Sequence, residues 1–459
     1  MGFVNRSTMT IRLPFPTSDR ILHQYEGEFT HYEGLPVFDP RDKTITLVTD
    51  GTPSLSLFKR LYVEAGKTHF IFPYSMHELL GYRTFLPSTY HKIAASLDQS
   101  LPPAVGLKAQ VLQARTELHT KVSTIDSAVI NGRRDLRTTV SKVRQCLRLH
   151  GLLMPLGAKM PHAREFGPYT EERQEDILLE VKMRLMRLYE NIEWPFTAVP
   201  QRELKADIND DDRKKFGYIG HYRRLLGDNL TGIVAYGSST RSDDPASYGD
   251  FDNWFIVHDI PAAYALLRNT KPHLHTTTGD VVTIDEELAK KDPAYKHIGI
   301  LLLPHNSKVR NQYLRALHDI DEFAQTIRVL YGSVSLSVLS PAETVEQGIV
   351  QAYVKAKTLV GAVMTNEDQM NMTKKPALYD YFRKNSRFFF KHAIKRVHSG
   401  LMTKEEADAK MKERFGIEIA PSGDDWETLH QGILYTRLAA AHMQKELLSD
   451  VAFDGSYIR

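Results

Sequence analysis

The sequence predicts an α+β protein of several domains, with a mixed sheet near the middle of the chain and helices on both sides of it. Three observations carry this. The chain has 459 residues, more than one compact core accommodates, which points to about two to four domains. Between residues 209 and 304, short apolar runs bounded by Gly, Pro, Asn and Asp mark strands. Before and after that stretch, apolar residues recur at steps of three and four, the period of helices.

Composition sets the outer limits. Apolar residues make up 42% and charged residues 25% of the chain, an ordinary globular balance that excludes wholesale disorder and a fibrous repeat. The longest apolar run in the central stretch, residues 298–303, is broken by Gly299. It is far shorter than the roughly 20 residues of a membrane span, so no membrane partner is expected. Arg6 and Arg12 are not followed by an apolar stretch, and no secretory signal is visible. The single cysteine, Cys146, excludes an internal disulfide and a multi-cysteine zinc site and fits a reducing cytoplasm. A net charge of +3 permits a nucleic acid partner without demanding one.

Residues 1–105 read as an α/β region of unknown role. Residues 43–48 form a strand, and the small polar residues 49–54 form a turn that caps a helix starting near Leu55. Such a turn can hold a phosphate, but without fingerprint glycine spacing a plain cap is favoured. Residues 106–200 read as a helical hairpin followed by a helix. Leu107, Val111, Ala114, Leu118, Val122, Ile125 and Val129 form one helical face. Asn131 and Gly132 break it, and Leu136, Val140, Val143 and Leu147 resume it. The second arm carries Arg133, Arg134, Arg137, Lys142, Arg144 and Arg148, which read as a solvated face or, less readily, as a phosphate-tracking one. Residues 152–168 read as a loop. Thr170 caps a helix with apolar Leu178, Val181, Leu185 and Leu188, and residues 193–206 read as a linker.

Residues 205–335 are expected to form the catalytic domain. Asn209 and the acidic residues 210–212 start a helix that runs to Leu226 and stops at Gly227. Residues 231–236 form a short buried strand leading straight into Gly237, Ser238, Ser239, Thr240 and Arg241. After a polar loop, residues 250–257 form a second strand that opens with Asp250, Phe251 and Asp252. Side chains alternate along a strand, so Asp250 and Asp252 project from one face. Two adjacent carboxylates repel unless a cation lies between them, and Mg²⁺ takes oxygen ligands and bridges phosphates. Gly237 allows close backbone approach, and Ser238 adds a hydroxyl and an N–H. The pattern points to in-line attack on the α-phosphate of a nucleotide.

Tyr236-Gly237-Ser238 followed by Asp250-Phe251-Asp252 resembles the nucleotidyltransferase superfamily typified by DNA polymerase beta. Arg241 resembles the Gly-Ser-x-x-Arg form of its small-molecule and toxin-type members. The resemblance covers residues 209–304. It implies a nucleotidyltransferase-type mixed sheet core, with Asp250 and Asp252 as metal ligands for Mg²⁺ or Mn²⁺. It also implies Gly237, Ser238 and Arg241 as nucleoside triphosphate contacts and a hydroxyl acceptor. That acceptor is expected to be a small molecule or a protein, with an RNA 3′ end as the alternative. The family's third acid has two candidate locations. On the strand at residues 297–304 its position is Gly299. On a hairpin formed by residues 273–278 and 281–285, Asp285 is the first candidate and Asp280 the second. A protein retained as a catalytically inactive nucleotide-binding scaffold is the reading from a different class.

Residues 340–459 are expected to form a helical domain. Val345, Ile349, Ala352, Leu359 and Val360 make an apolar face, with Lys355 and Lys357 beside it. Residues 379–397 interleave aromatics with bases, which reads first as core packing and second as single-stranded nucleic acid binding. His258, His305 and His392 show no metal-like spacing.

Overall fold

The structure is a computed structural model. It describes residues 31–36, 43–49, 69–75, 136–191, 201–268, 273–276, 281–283, 295–306 and 326–337, together with isolated helical positions at 90, within 114–130, at 310 and within 406–413. The chain divides into two compact units, Met1–Gln113 with Val345–Arg459, and Ala114–Thr344.

In the first unit, β1 (His31–Pro36) runs antiparallel to β2 (Lys43–Thr49), and β2 runs parallel to β3 (His69–Ser75). The strand expected at residues 43–48 is β2. Thr49, expected to open the turn at 49–54, is instead the last residue of β2; residues 50–54, the helix near Leu55, Lys355, Lys357 and the aromatic-basic stretch 379–397 lie outside the described residues.

The second unit begins with helical residues Ala114, Leu118, Val122, Ile125 and Val129, all buried as their spacing requires. Next come α1 (Leu136–Leu153) and α2 (Gln174–Asn191), which pack together. The buried stripe of α1 is rotated from the expected one. Thr139, Val143, Cys146, Leu149 and Leu153 are buried, whereas Leu136 is exposed. A stripe read from the large aliphatic residues passes over Thr139 and Cys146, both buried. On the basic arm, the partly exposed Arg148 pairs with the buried Glu117. Leu178, Val181, Leu185 and Leu188 form the buried face of α2 as expected. That helix starts at Gln174 rather than at Thr170, with Glu175 and Asp176 in its first turn.

A seven-stranded mixed sheet follows, formed by β4 (Gln201–Lys205), β5 (Leu230–Tyr236), β6 (Asp250–Val257), β7 (His273–Thr276), β8 (Val281–Thr283), β9 (Tyr295–Pro304) and β10 (Arg328–Ser337). Their order is β4-β10-β5-β6-β9-β7-β8. Only β6 and β9 pair in parallel; the other neighbours in this sheet are antiparallel. β4 corrects the expected linker at 193–206. Its Gln-Arg-Glu-Leu-Lys sequence carries no strand pattern, and its pairing with β10 supplies the hydrogen bonds that make it an edge strand. Beside it, β10 shifts register between Val329 and Tyr331, and Gly332 takes φ +69. A side chain at 332 would overlap the carbonyl oxygen of Thr231, so this irregularity needs glycine.

The helix expected over 209–226 is two helices, α3 (Asp210–Lys215) and α4 (Tyr218–Leu226), joined at Phe216 and Gly217. Asn209 caps α3 by accepting from the Asp212 N–H at 2.8 Å. The break turns aromatic residues onto the sheet. Phe216 and Tyr218 meet Phe251 edge-on at 5.7 and 5.4 Å, and Tyr222 meets Phe255 at 4.8 Å. The Tyr218 hydroxyl donates to Asn253 Oδ1 at 2.7 Å, so α4 is fixed to β6 by a polar bond inside an apolar contact. α5 (Ile260–Leu267) follows β6 directly and lies against α4 and β9.

β7 covers β9 only over Tyr295–His297. Further along the same strand, Leu302 donates its N–H to Asp126 Oδ2 at 3.0 Å and accepts from Lys182 Nζ at 3.0 Å. Lys182 pairs with Asp126, and the Tyr264 hydroxyl donates to the same carboxylate. Asp126 and Lys182 are fully buried. These side chains from two helices satisfy the strand's backbone as a neighbouring strand would.

Candidate functional site

The site lies where β5 ends and β6 begins. Tyr236 pairs with Asp252 across the two strands, which brings Gly237 beside that carboxylate. Gly237 takes φ +83 and ψ −152, a conformation that side chains disfavour. A Cβ there would lie 2.7 Å from Asp252 Oδ2, so the bare backbone at 237 is what gives the carboxylate its position. Ser238 is exposed and opens a short 3₁₀ turn over Ser238–Thr240. Thr240 Oγ1 closes that turn by donating to the Gly237 carbonyl at 3.0 Å, and the Arg241 N–H donates to the Ser238 carbonyl at 3.2 Å. Arg241 is exposed beyond it.

Asp250 and Asp252 share one face of β6, Asp250 exposed and Asp252 half-buried. Gly237, Ser238, Asp250 and Asp252 therefore meet at one end of adjoining strands. Burial pushes the Tyr236 hydroxyl well above its usual pKa, and the Asp252 and Asp250 carboxylates add to that push. Tyr236 stays protonated there. Hard oxygen donors on one face, with no side chain at 237 crowding them, could hold a divalent cation that also takes phosphate oxygens. Among the described residues, no group of three or more His, Cys, Asp or Glu side chains could hold a metal ion by itself.

Asp252 lies opposite Gly299 in the parallel register with β9. A Cβ at 299 would lie 3.5 Å from Asp252 Oδ1 and 3.4 Å from the Phe251 carbonyl oxygen. The expected third-acid position on this strand is thus adjacent to Asp252, and a glycine occupies it. The hairpin of the other candidates is present as antiparallel β7 and β8, while Asp280 and Asp285 lie outside the described residues.

The loop between the two strands is held by residues that the motif did not reveal. Lys215 at the end of α3 donates to the Ser242 carbonyl at 2.6 Å and to Asp243 Oδ1 at 3.0 Å, and lies 5.3 Å from the Tyr248 ring centroid. The bond from Lys215 holds the Asp243 carboxyl below its usual pKa. Asp244 caps the next turn by accepting from the Ala246 N–H at 2.9 Å. On the far side, Lys296 lies 5.5 Å from the same Tyr248 ring. Nothing local in the sequence marks Lys215; its role appears only once α3 and the loop are adjacent.

His258 and His305 lie beyond the opposite ends of β6 and β9, with ring centroids 4.4 Å apart. Burial, aided by the neighbouring His258 charge, lowers the His305 pKa. Among the described residues, no helix is long and apolar enough to cross a membrane. Compared with family models, with curated proteins and with solved structures, the chain matches none.

Proposed function

We propose that the chain is a Mg²⁺- or Mn²⁺-dependent nucleotidyltransferase that moves a nucleoside monophosphate from an NTP to a hydroxyl acceptor with release of pyrophosphate. The observation that carries this is the seating of Asp252 against the bare Gly237 backbone, with Asp250 on the same face. In this reading the mixed sheet is a nucleotidyltransferase-type core, and the helices before and after it serve acceptor and nucleotide recognition. Asp250 and Asp252 hold the metal, Gly237 and Ser238 bring backbone and hydroxyl groups to the triphosphate, and Arg241 pairs with its charge. When bound, the metal polarises the α-phosphate and neutralises charge developing on the leaving pyrophosphate. The acceptor is a small molecule or a protein side chain, and the reaction belongs in the cytoplasm.

Pyrophosphate release from each of the four NTPs, supplied with metal and a cell extract, tests this against Asp250→Ala/Asp252→Ala. The expected loss is on the order of a thousandfold. Gly299 favours a second reading, a nucleotide-binding scaffold without turnover. Metal-dependent NTP binding with no pyrophosphate release from the wild type would support the scaffold.

A further inference from the structure

We propose that His258 and His305 form a site for a late first-row divalent cation such as Zn²⁺, with Thr231 orienting the His305 ring. The site is separate from the acid pair and independent of the transferase reading. Val257 and Pro304 are the last residues paired in the parallel register of β6 and β9. The His305 N–H extends that ladder by donating to the Val257 carbonyl at 2.8 Å. His258 and His305 are therefore the next residues of two adjacent strands. Their rings lie 4.4 Å apart between centroids, with planes inclined by 47°. Both side chains are exposed, so a solvent ion can reach them.

A third strand sets the ring of His305. β5 shifts register against β6 between Leu230 and Gly232, which makes Thr231 the extra residue of a bulge. Gly332 accommodates the bulge from β10, since a Cβ there would overlap the Thr231 carbonyl oxygen. Thr231 Oγ1 donates its proton to the Ile256 carbonyl at 3.1 Å. Towards His305 Nδ1, 3.1 Å away, the same oxygen accepts. Nδ1 thus carries the ring proton, and the lone pair lies on Nε2. An imidazole held at one nitrogen by an outer hydrogen bond, with the other nitrogen open, is the arrangement that metal-bound histidines use. Burial, then the charges of His258 and Arg310, lower the His305 pKa, so the ring is neutral near pH 7 and able to coordinate.

The donors select the ion. Asp259, the acid next to His258 in sequence, uses Oδ1 to cap α5 by accepting from the Ala262 N–H at 2.9 Å. The Asn229 amide is bonded at both atoms to the Asp259 backbone, at 2.7 and 2.8 Å. Arg310 donates to the carbonyls of Pro304 at 3.3 Å and His305 at 2.7 Å, which fixes the backbone that presents the ring. Its charge disfavours a cation held by charge alone, so binding rests on the bonds to imidazole nitrogen. Two imidazoles suit Zn²⁺, Ni²⁺ or Cu²⁺ and not the hard Mg²⁺, and water fills the remaining positions. The eight paired residues of β6 and β9 place roughly 25 Å between this site and the end at Asp250. A bound ion would tie the ends of the only parallel pair in the seven-stranded sheet.

The test titrates Zn²⁺ and Ni²⁺ calorimetrically into the full chain after chelator treatment, with Mg²⁺ in excess to occupy oxygen-donor sites. His258→Gln and His305→Gln each remove one imidazole and keep a polar side chain. Each is expected to weaken one binding step about 100-fold or more, and Thr231→Val to weaken it about tenfold. Zn²⁺ is expected to raise the melting temperature of the wild type and to leave that of His258→Gln and His305→Gln unchanged. Without metal, all three variants should melt within about 2–4 °C of the wild type. The His258 ring is exposed and makes no hydrogen bond among the described residues, so His258→Gln reads coordination apart from folding. A binding step and a Zn²⁺-induced rise in melting that survive both His258→Gln and His305→Gln overturn the site. Absence of Zn²⁺ and Ni²⁺ uptake by the wild type also overturns it. Undiminished binding by Thr231→Val overturns the orienting role of the bulge. None of these outcomes touches Asp250 or Asp252.

Discussion

Gly237 and Gly299 flank one carboxylate, and they differ in what each would tolerate. At 237 the backbone is left-handed and an added Cβ would press on Asp252 Oδ2 at 2.7 Å. Gly237→Ala is therefore expected to cost about 1–3 kcal/mol from backbone strain and to displace the carboxylate. Calorimetric binding of Mn²⁺ with a non-cleavable NTP should weaken about tenfold or more, in line with loss of an oriented ligand. At 299 an added Cβ meets Asp252 Oδ1 at 3.5 Å, an ordinary contact. Gly299→Ala should leave thermal stability within about 0.5–1 kcal/mol, and a larger loss would show that the strand has no room there. The Gly-Ser and Asp-x-Asp residues are legible in the sequence because two local patterns, a strand ending in glycine and a strand starting with alternating acids, specify them. The placement of Gly299 against Asp252 is not legible in that way, because it exists only in the parallel register of two strands far apart in the chain.

Among the elements, β9 depends on a buried ion pair rather than a neighbouring strand over its second half. Burial raises the Asp126 carboxyl to about 6, against the opposing pull of Lys182, and burial lowers the Lys182 ammonium. Both shifts mean that the charged forms are costly in the fold. Removing one partner strands the other, so Lys182→Met alone and Asp126→Asn alone should each cost about 3–5 kcal/mol. The double variant should cost less than the sum of the two, and a urea double-mutant cycle measures the difference. The sign of the pH dependence follows. A carboxyl raised in the folded state contributes stability that is complete below its unfolded pKa, near 4, and lost as pH rises through its folded value, near 6. In Lys182→Met the partner that lowers Asp126 is gone, so the deficit relative to wild type should be smaller at pH 5 than at pH 8. An equal deficit at both values would place the cost in packing instead. This element-scale chemistry was not legible beforehand. Lys182 lies between the apolar residues Val181 and Leu185 on a helix whose period was clear, but only tertiary packing brings it to Asp126 and Leu302. The long helices and β5, β6 and β9 were readable from period and apolar runs. β4 was not, because a polar edge strand has no such signal. β10 does carry such a signal, because Val334 and Leu336 alternate with serines, yet it is not among the strands expected from the sequence.

At the scale of the whole molecule, the net charge of +3 on 459 residues is small, and several arginines among the described residues have partners within the fold. Arg148 pairs with Glu117, Arg184 with Glu165 and Glu180, Arg268 with Glu175, and the Arg223 guanidinium lies 4.4 Å from the Tyr331 ring centroid. Single-stranded RNA is accordingly expected to bind the full chain only weakly, with a Kd of about 10⁻⁵ M or higher at physiological salt, by fluorescence anisotropy. Tight binding with a steep salt slope would restore an RNA 3′ end as the acceptor. The sheet and its site belong to one unit, Ala114–Thr344, while the other unit is formed by both ends of the chain. The proposed chemistry thus uses only part of the length that the sequence presents. The central claim is that Asp250 and Asp252 hold the metal for nucleotidyl transfer. Its most direct measurement is pyrophosphate release from the four NTPs by the wild type and by Asp250→Ala/Asp252→Ala, side by side. The expected result is metal-dependent release that falls by on the order of a thousandfold in the double variant; equal release from both proteins would contradict the claim.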